Sequence, residues 1–304
     1  LLKNLIRDIP KDKKNIIISG LSINSNDVKK NYIFFAIKGK KFNDENYIKK
    51  AIKKGASVIV CSKNCSFNDR KIIVIKTNDI RFLLSEISSK FYRLKPTNIF
   101  AVTGTNGKTS VADIFYQILR INNLPAASIG TLGIKYNNKI IKTNLTSPDT
   151  ISLHKTLNFL KKKKINNVII ESSSHGLDQK RLHHINFKGG IFTNLSQDHL
   201  DYHKNMKSYL NAKLILFKEI LNKNSSIISD SKIFIIDYSY SPVFKFWSNP
   251  SKFDFPTHII NFKFVYCRSR NLRCFTQKLK FLSRCSTNAI WIVKSYFEES
   301  GTCS

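Results

Sequence analysis

The chain has 304 residues, and its 51 Lys and Arg against 20 Asp and Glu give a formal net charge of +31 at pH 7. A hydrophobic content of 42% is enough to build folded cores, and the length allows two or three domains, which excludes a wholly disordered basic tail. The longest apolar runs fall far short of the ~18 residues that cross a bilayer. We therefore expect a folded chain with no membrane partner.

The cysteines indicate a reducing compartment. There are six of them in 304 residues, and none forms a Cys-x-x-Cys pair. Such sparse, unpaired cysteines are typical of reduced thiols rather than of a disulfide framework. We expect a cytoplasmic protein.

The basic residues are spread along the chain rather than concentrated on one element. The one dense run, at 161–164, follows a helical pattern and reads as a solvated face. The sequence contains no helix-turn-helix, stacking aromatic pair or zinc-finger spacing. We expect no nucleic-acid partner, although a basic nucleic-acid-binding protein with an incidental phosphate loop remains an alternative.

Residues 1–97 alternate between strand and helix patterns. Apolar triplets at 16–18, 33–35, 58–60 and 72–74 predict short buried strands. Between the second and third of them, residues 47–52 form a helix pattern that Gly55 closes. This part is predicted to be a small mixed α/β domain.

Residues 98–232 repeat a different unit, in which a strand runs into a polar loop. The apolar strands at 99–102, 168–170 and 191–192 all end this way, and the first is followed by a helix pattern. In a parallel α/β sheet the ligand lies beyond the carboxyl ends of the strands, so these three loops can form one site. The pattern predicts an α/β domain with a mostly parallel sheet.

The loop after the first of these strands is similar to a phosphate-binding Walker A loop. Its glycines let backbone N–H groups face phosphate oxygens, Lys108 would reach the β- and γ-phosphates, and Thr109 would ligate Mg²⁺. The strict spacing requires glycine where Val102 stands, so a structural loop without nucleotide is the alternative. The predicted ATP-binding residues are Gly104, Thr105, Asn106, Gly107, Lys108, Thr109 and Ser110.

The segments at 103–109, 171–177 and 193–203 resemble signatures of the Mur ligases, and within them those of the UDP-N-acetylmuramoyl-tripeptide synthetases. The resemblance covers residues from about 16 to 230. Folylpolyglutamate synthetase, another member of the superfamily, is the alternative enzyme.

The resemblance implies an ATP-dependent amide ligase of peptidoglycan precursor synthesis, and so of cell-wall formation, cell shape and division. Such an enzyme adds a third amino acid, diaminopimelate or lysine, to UDP-N-acetylmuramoyl-L-alanyl-D-glutamate. The ATP γ-phosphoryl group is transferred to the substrate carboxylate, and the amine of the amino acid attacks the resulting acyl phosphate and expels phosphate. All partners implied are small molecules.

The resemblance also implies a metal site. Thr109 and Glu171 would hold a first Mg²⁺, and Glu171 with His199 and a carbamylated Lys213 would hold a second. Lys108, Glu171, His199 and Lys213 would be the catalytic residues. From the residues alone, His199 is predicted to be a polar loop residue and Lys213 a helix-surface lysine.

The substrate-binding residues implied by the resemblance come from both domains. In the N-terminal domain, Ser25 lies in the segment 21–26, which matches the family's uridine-binding motif with Asn24 and Asn26 at its Asp and Arg positions. Turn and cap roles remain the alternative for the serines and threonines. The muramoyl-peptide residues of the second domain would be Thr146, Ser147, Ser173, Gln179 and Arg181.

Residues 233–304 show no strand-loop-helix repeat and contain no Asp-Asn-Pro-Arg sequence. In the family that sequence belongs to a C-terminal domain that binds the incoming amino acid. We expect these residues to be an aberrant or truncated tail of uncertain fold. We also expect the chain as it stands to bind substrates weakly without completing ligation.

Overall fold

The computed structural model describes residues 1–6, 13–37, 44–69, 71–143 and 146–229, together with the backbone of three strands beyond residue 263. The first part of the chain builds a parallel four-stranded sheet in the order β1-β2-β3-β4. Its strands are β1 (Gly20–Ser22), β2 (Tyr32–Phe35), β3 (Ala56–Ser62) and β4 (Ile73–Thr77). The helices α1 (Asp44–Lys53) and α2 (Ile80–Phe91) connect and follow them.

Both faces of this sheet are buried, as expected of parallel strands. Successive side chains point to opposite faces, so Ile33 and Phe35 of β2 pack with Ile87 of α2, whereas Phe34 between them packs with Ile48 of α1. The predicted helix at 47–52 and the strands at 33–35 and 58–60 are confirmed.

The strand predicted at 16–18 is wrong. This segment has no regular structure, and the first strand begins at Gly20. Ile17 is 66% exposed, and the carbonyl of Ile16 accepts a hydrogen bond from the backbone N–H of Leu2 rather than from a strand. The apolar triplet thus packs against the N-terminal turn instead of joining the sheet, and only part of it is buried.

The second part of the chain builds a seven-stranded sheet in the order β11-β10-β5-β9-β6-β7-β8. The first five of these strands pair in parallel, and β7 and β8 add an antiparallel hairpin at one edge. The predicted mostly parallel α/β fold is therefore confirmed. The strands are β5 (Asn98–Thr103), β6 (Ala126–Gly130), β7 (Gly133–Tyr136), β8 (Lys139–Ile141), β9 (Asn167–Glu171), β10 (Gly189–Phe192) and β11 (Ser226–Ser229).

Helices cover this sheet. The three predicted strands at 99–102, 168–170 and 191–192 and the helix after the first are confirmed. The helices are α3 (Lys108–Ile121), α4 (Thr150–Lys162), α5 (Ser174–Asp178), α6 (Leu200–His203) and α7 (Met206–Ile215), which a π-helical turn (Leu216–Ile220) extends.

The strand order reverses at β5. From β5 the chain proceeds to β6 on one side of the sheet and later adds β10 on the other, with β9 inserted between β5 and β6. Such a switch point opens a crevice beyond the carboxyl ends of the strands. The ends of β10, β5, β9 and β6 are therefore side by side.

Helix α2 joins the two parts of the chain. The buried hydroxyl of Ser85 donates a hydrogen bond to the carbonyl oxygen of His183, 2.5 Å away. The ammonium of Lys180 pairs with the carboxylate of Asp79 at the start of α2. This contact fixes the first sheet beside the loop that follows α5.

Beyond residue 263, β12 (Phe264–Tyr266), β13 (Phe275–Leu282) and β14 (Ile292–Glu298) form an antiparallel sheet. The prediction of an aberrant or truncated tail otherwise falls outside the described residues. Among the described residues, no helix has the length and apolar character needed to cross a membrane.

Candidate functional site

The glycine loop between β5 and α3 has a conformation that its glycine requires. Gly104 has φ of +140°, and a Cβ atom at this position would lie 1.9 Å from Oγ1 of Thr193. Only glycine therefore lets the loop turn this tightly against the segment that follows β10. The turn aims the N-terminus of α3, with its partial positive charge, at the crevice.

The segment after β10 braces this loop from the side. Asn194 accepts hydrogen bonds from the backbone N–H groups of Thr105 and Asn106, through its carbonyl oxygen and Oδ1 respectively, both at 2.9 Å. The hydroxyl of Thr105 donates to the carbonyl oxygen of Ser196. The two polar segments that the sequence predicted to meet are therefore in direct contact.

Lys108 lies at the first position of α3 and folds back over the loop. Its ammonium donates hydrogen bonds to the carbonyl oxygens of Gly104, at 2.9 Å, and Thr105, at 2.7 Å. Burial lowers the pKa of Lys108, partly offset by the charges of Glu171 and Asp198. Two backbone oxygens therefore hold the ammonium against the loop.

Glu171, the last residue of β9, is the acid nearest the loop and is only 2% exposed. Its Oε2 accepts a hydrogen bond of 2.9 Å from the hydroxyl of Thr109. Two oxygen ligands that converge in this way suit Mg²⁺, which usually binds one or two protein groups together with phosphates and waters. The predicted first metal pair is therefore brought together.

Thr131, which the sequence reading missed, holds Glu171 from the opposite side. Its backbone N–H donates to Oε1 at 3.0 Å and its hydroxyl to Oε2 at 3.1 Å. The preceding Gly130 leaves room for the carboxylate, since a Cβ there would lie 1.9 Å from Oε1. The one sequence signal for Thr131 is that a polar residue directly follows a strand. That strand, β6, consists mostly of small residues, so it has no apolar run by which to recognise it.

Lys213 on α7 is buried, not on a helix surface, with 1% of its surface exposed. Its ammonium donates to the carbonyl oxygen of Gly104 at 2.7 Å and lies 4.3 Å from the ring centre of Tyr209. Burial and the charge of Lys108 lower the pKa of Lys213 to about 7, with a partial offset from Asp198. Much of this side chain is therefore a neutral amine at neutral pH.

His199 lies just before α6, in the left-handed backbone region with φ of +53°. Its ring contacts that of His175, with centroids 5.0 Å apart, and His175 in turn contacts His203. Burial and the charge of His199 lower the pKa of His175. The ring of His199 is nearly half exposed and faces the crevice.

Two of the predicted muramoyl-peptide residues pack against the end of β9. The hydroxyl of Ser147 donates to the carbonyl oxygen of Glu171 at 2.8 Å and lies 3.0 Å from that of Ser173. Ser173 also caps α5 by accepting from the N–H of Gly176. Both serines therefore make structural contacts at the end of β9, next to the predicted metal ligand Glu171.

Arg181 is half-buried and directed by its neighbours. Its guanidinium donates to the carbonyl oxygen of Ser147 at 2.6 Å and to Oε1 of Gln179 at 2.7 Å. Burial, with the charge of Arg81 as a second cause, lowers the pKa of Arg181. Two of its five donors are used by the protein, which leaves others for a carboxylate.

Ser25 is separate from this group. It is buried in the turn after β1 and is not among the residues that line the crevice. Nearby, the backbone N–H of Asn26 donates to Oδ1 of Asn24, which forms a local turn. The structure thus brings together the predicted residues of the second domain and leaves Ser25 in the first.

The crevice has a volume of about 260 Å³ and its lining is polar. It contains two lysines and no carboxylate, which fits an anionic ligand, and the buried hydroxyl of Ser174 in its wall has no hydrogen-bond partner. Its lining residues are Thr105, Asn106, Gly107, Lys108, Thr109, Ser110, Thr131, Thr146, Ser173, Ser174, His199 and Lys213.

A second metal requires more than the unmodified side chains. Among the described residues, no three His, Cys, Asp or Glu side chains are grouped so that they could hold a metal ion. Glu171 and His199 offer one carboxylate and one ring nitrogen, whereas Mg²⁺ prefers oxygen ligands, and the amine of Lys213 offers no oxygen. A carbamate on Lys213 would supply the missing anionic oxygen, so the donor set fits only in that form.

Comparison with known protein families gives two matches. Residues 17–92 match a family described as the Mur ligase family, catalytic domain, and residues 102–288 match the Mur ligase middle domain. The second match extends past position 232, at which we had predicted a change of character.

Three similar curated proteins carry the name UDP-N-acetylmuramoyl-L-alanyl-D-glutamate--2,6-diaminopimelate ligase. The protein from Rickettsia conorii is 40% identical over 245 residues, covering 78% of this chain and 51% of the relative. Those from Aquifex aeolicus and Brucella melitensis are 39% and 37% identical, covering 70% and 72% of this chain and 44% and 45% of the relatives. The chain thus spans about half the length of the curated relatives it matches.

Solved structures agree on the fold. A structure of UDP-N-acetylmuramoyl-L-alanyl-D-glutamate--2,6-diaminopimelate ligase superposes with a TM-score of 0.61 at 26% identity, covering 71% of this chain and 43% of that one. The MurF ligase from Thermotoga maritima, solved with ADP, gives 0.50 at 18% identity, covering 71% and 47%. Because the middle-domain match covers more than half of the chain and runs through the whole crevice, the chain belongs to the Mur ligase family.

Proposed function

We propose that this chain carries the nucleotide-binding and UDP-muramoyl-binding parts of the ligase that adds the third amino acid to UDP-N-acetylmuramoyl-L-alanyl-D-glutamate. The observation that carries the proposal is that Lys108, Thr109 and Lys213 line one polar crevice, while the buried Glu171 accepts a hydrogen bond from Thr109 at its wall. The names of the relatives favour diaminopimelate over lysine as the amino acid, and they favour this ligase over folylpolyglutamate synthetase.

In this proposal ATP binds with its phosphates over the glycine loop. The N-terminus of α3 and Lys108 neutralise phosphate charge, and Thr109 with Glu171 would hold Mg²⁺, which supplies charge neutralisation to the transferring phosphoryl group. The reacting carboxylate and ATP are both anions, so holding them together is most of the catalytic task. The absence of a carboxylate from the lining supports this role.

The muramoyl dipeptide would lie along the side formed by Thr146, Ser147 and Ser173. Arg181 is the proposed partner of a substrate carboxylate, because a guanidinium fork binds carboxylates in a bidentate way and its direction is fixed by Ser147 and Gln179. Ser25 and its turn would contact the uridine part from the first domain.

Lys213 would act as its carbamate. Its neutral amine nitrogen attacks the carbon of CO₂ and loses a proton, which leaves an anionic oxygen directed at the crevice. Together with Glu171 and His199 this oxygen would complete the second Mg²⁺ site. The depressed pKa and the burial of Lys213 support the step, since only a neutral amine reacts.

Residues 1–97 and 98–232 are proposed to act as the substrate-binding and ATP-binding domains of a cytoplasmic enzyme. A boundary near residue 97 is supported by the two separate sheets, because β1 to β4 form the first and the second begins with β5 at Asn98. The partners are then small molecules only.

Calorimetric titration of the 304-residue chain with Mg·ATP, and then with UDP-N-acetylmuramoyl-L-alanyl-D-glutamate, tests the proposal. Lys108→Met removes the loop charge and should weaken nucleotide binding by about tenfold or more, or ~1.4 kcal/mol. The matched control is Lys188→Met, an exposed lysine next to the opposite end of β10. A chain that binds neither ligand, or a Lys108→Met variant that binds like the control, contradicts the proposal.

Arg181→Lys keeps the positive charge but removes the guanidinium group that binds a carboxylate through two hydrogen bonds. It should weaken binding of the UDP-muramoyl dipeptide about tenfold and leave the affinity for Mg·ATP unchanged.

The alternative of a nucleic-acid-binding protein makes a different prediction. Its affinity for a DNA or RNA duplex would fall steeply with salt, in proportion to the phosphates neutralised, whereas we expect no such specific binding.

A further inference from the structure

We propose that Thr131 is a positioning residue that fixes the Glu171 carboxylate in the orientation needed to bind Mg²⁺, and that links it to Thr146. The inference rests on the proposed function in one respect, since it takes Glu171 as a metal ligand. Thr131 directly follows β6, the strand that pairs with β9, so the two strands end side by side.

Glu171 is held from two directions, and the two are not equivalent. On one side Thr109 donates to Oε2, and on the other Thr131 donates through its N–H to Oε1 and through its hydroxyl to Oε2. A metal ion between Thr109 and Glu171 would take over the lone pairs that now join these two groups. Thr131 would then be the side chain that still fixes the carboxylate plane.

The hydroxyl of Thr131 contacts Thr146 as well as Glu171. Oγ1 of Thr131 lies 3.1 Å from both Oε2 of Glu171 and Oγ1 of Thr146. The hydroxyl of Thr131 is the donor in both contacts, and because it has one proton the two acceptors share it.

The space around the Glu171 carboxylate is tightly limited by the neighbouring backbone. Gly130, one residue before Thr131, approaches Oε1 so closely that no Cβ atom could be accommodated without movement. Groups that orient metal ligands in this way commonly change metal affinity by ~10–100-fold when removed. We therefore expect a clear effect from the loss of one hydroxyl.

The test compares Thr131→Val with Thr131→Ser in the full 304-residue chain. Valine has the shape of threonine without the hydroxyl, and serine restores the hydroxyl without the methyl group. Nucleotide affinity is measured by calorimetry with excess Mg²⁺ and again with EDTA, and the ratio of the two is the readout. Thr97→Val, an exposed threonine beside the opposite end of β5, is the control.

Thr131→Val should lower the ratio about tenfold with the EDTA affinity unchanged, while Thr131→Ser stays within about threefold of the parent chain. An unchanged ratio in Thr131→Val overturns the inference, as does an equal loss with and without Mg²⁺, because a general structural defect moves both. A serine variant as poor as the valine variant overturns it too, because the methyl group would then be responsible.

A second measurement separates this inference from the proposed function. If the parent chain binds no nucleotide, the proposed function fails, and a crystal structure of Thr131→Val decides about Thr131 alone. A Glu171 carboxylate that has rotated away from its position in the parent chain supports the positioning role. A carboxylate that stays in place refutes it.

Discussion

The ammonium of Lys213 donates a hydrogen bond to the carbonyl oxygen of Gly104, 2.7 Å away, across 109 positions of the chain. The contact joins α7 to the glycine loop and buries the amine against the ring of Tyr209. Burial here disfavours the charged form, and the nearby Lys108 adds repulsion. The fold thus holds a buried amine with a lowered pKa against the glycine loop.

Lys213 should form a carbamate in bicarbonate buffer. Because its pKa is lowered to about 7, the neutral amine fraction grows as the pH rises through 7, and the carbamate should grow with it. Carbon-13 NMR with labelled bicarbonate would detect the adduct. Lys213→Arg should abolish the signal and Lys188→Arg should keep it. No signal in the parent chain at pH 8 would contradict the expectation.

Gly130→Ala should damage the metal site more than it damages the fold. The new Cβ atom would lie 1.9 Å from Oε1 of Glu171, so the carboxylate must move. We expect the Mg²⁺-dependent gain in nucleotide affinity to fall by more than ~10-fold. Calorimetry with Mg²⁺ and with EDTA measures it.

Ala127→Gly in the same strand is the control for Gly130→Ala. It removes a buried methyl group and should cost ~1 kcal/mol of folding free energy. It has no contact with the carboxylate, so the Mg²⁺ dependence should be retained. If both variants lose the Mg²⁺ dependence equally, the effect comes from β6 and not from Glu171.

Much of the second domain could be predicted from local patterns. The strand at 99–102 is uniformly apolar, the helix after it has clear 3.6-residue periodicity, and Glu171 directly follows an apolar run. Each of these patterns is local, because it can be read from about a dozen consecutive residues. The polar ends of parallel strands then had to meet at one edge of the sheet.

What the sequence could not reveal depends on distant contacts. The strand β6 has five buried residues, but four of them are Ala, Ser or Gly, so no apolar run marked it and Thr131 was missed. Lys213 looked like a surface lysine, because its burial comes from the glycine loop more than a hundred residues earlier. Conversely, the apolar triplet at 16–18 predicted a strand where Ile17 is exposed.

The contact between the two domains should depend more on Ser85 than on the ion pair beside it. Ser85→Ala leaves the buried carbonyl of His183 without its donor, which should cost ~1–3 kcal/mol of folding free energy. Asp79→Asn can keep the cap of α2 and removes only the partly exposed pair with Lys180, which should cost less than ~1 kcal/mol. Urea unfolding curves of the two variants would rank them, and an equal or reversed ranking would contradict this view.

His154 should make the protein sensitive to acid. Its ring is fully buried on α4 without a well-formed hydrogen bond, and burial lowers its pKa to about 3, with the carbonyl of His183 only partly opposing. Between about pH 6.5 and 3 the unfolded chain therefore binds a proton that the folded chain does not. The free energy of unfolding should therefore decrease as the pH is lowered through this window, by up to ~1.4 kcal/mol per pH unit from this group alone.

The variant His154→Phe tests the assignment of this acid sensitivity. Phenylalanine keeps a ring of similar size and cannot be protonated, so urea unfolding measured at pH 7, 5.5 and 4.5 should show a smaller decrease than in the parent chain. His184→Gln, at an exposed neighbouring histidine, should retain most of the decrease. If the unfolding free energy depends on pH equally in the parent chain and in His154→Phe, the acid sensitivity belongs to other groups. A buried histidine that is protonated only in the unfolded state must steepen this dependence.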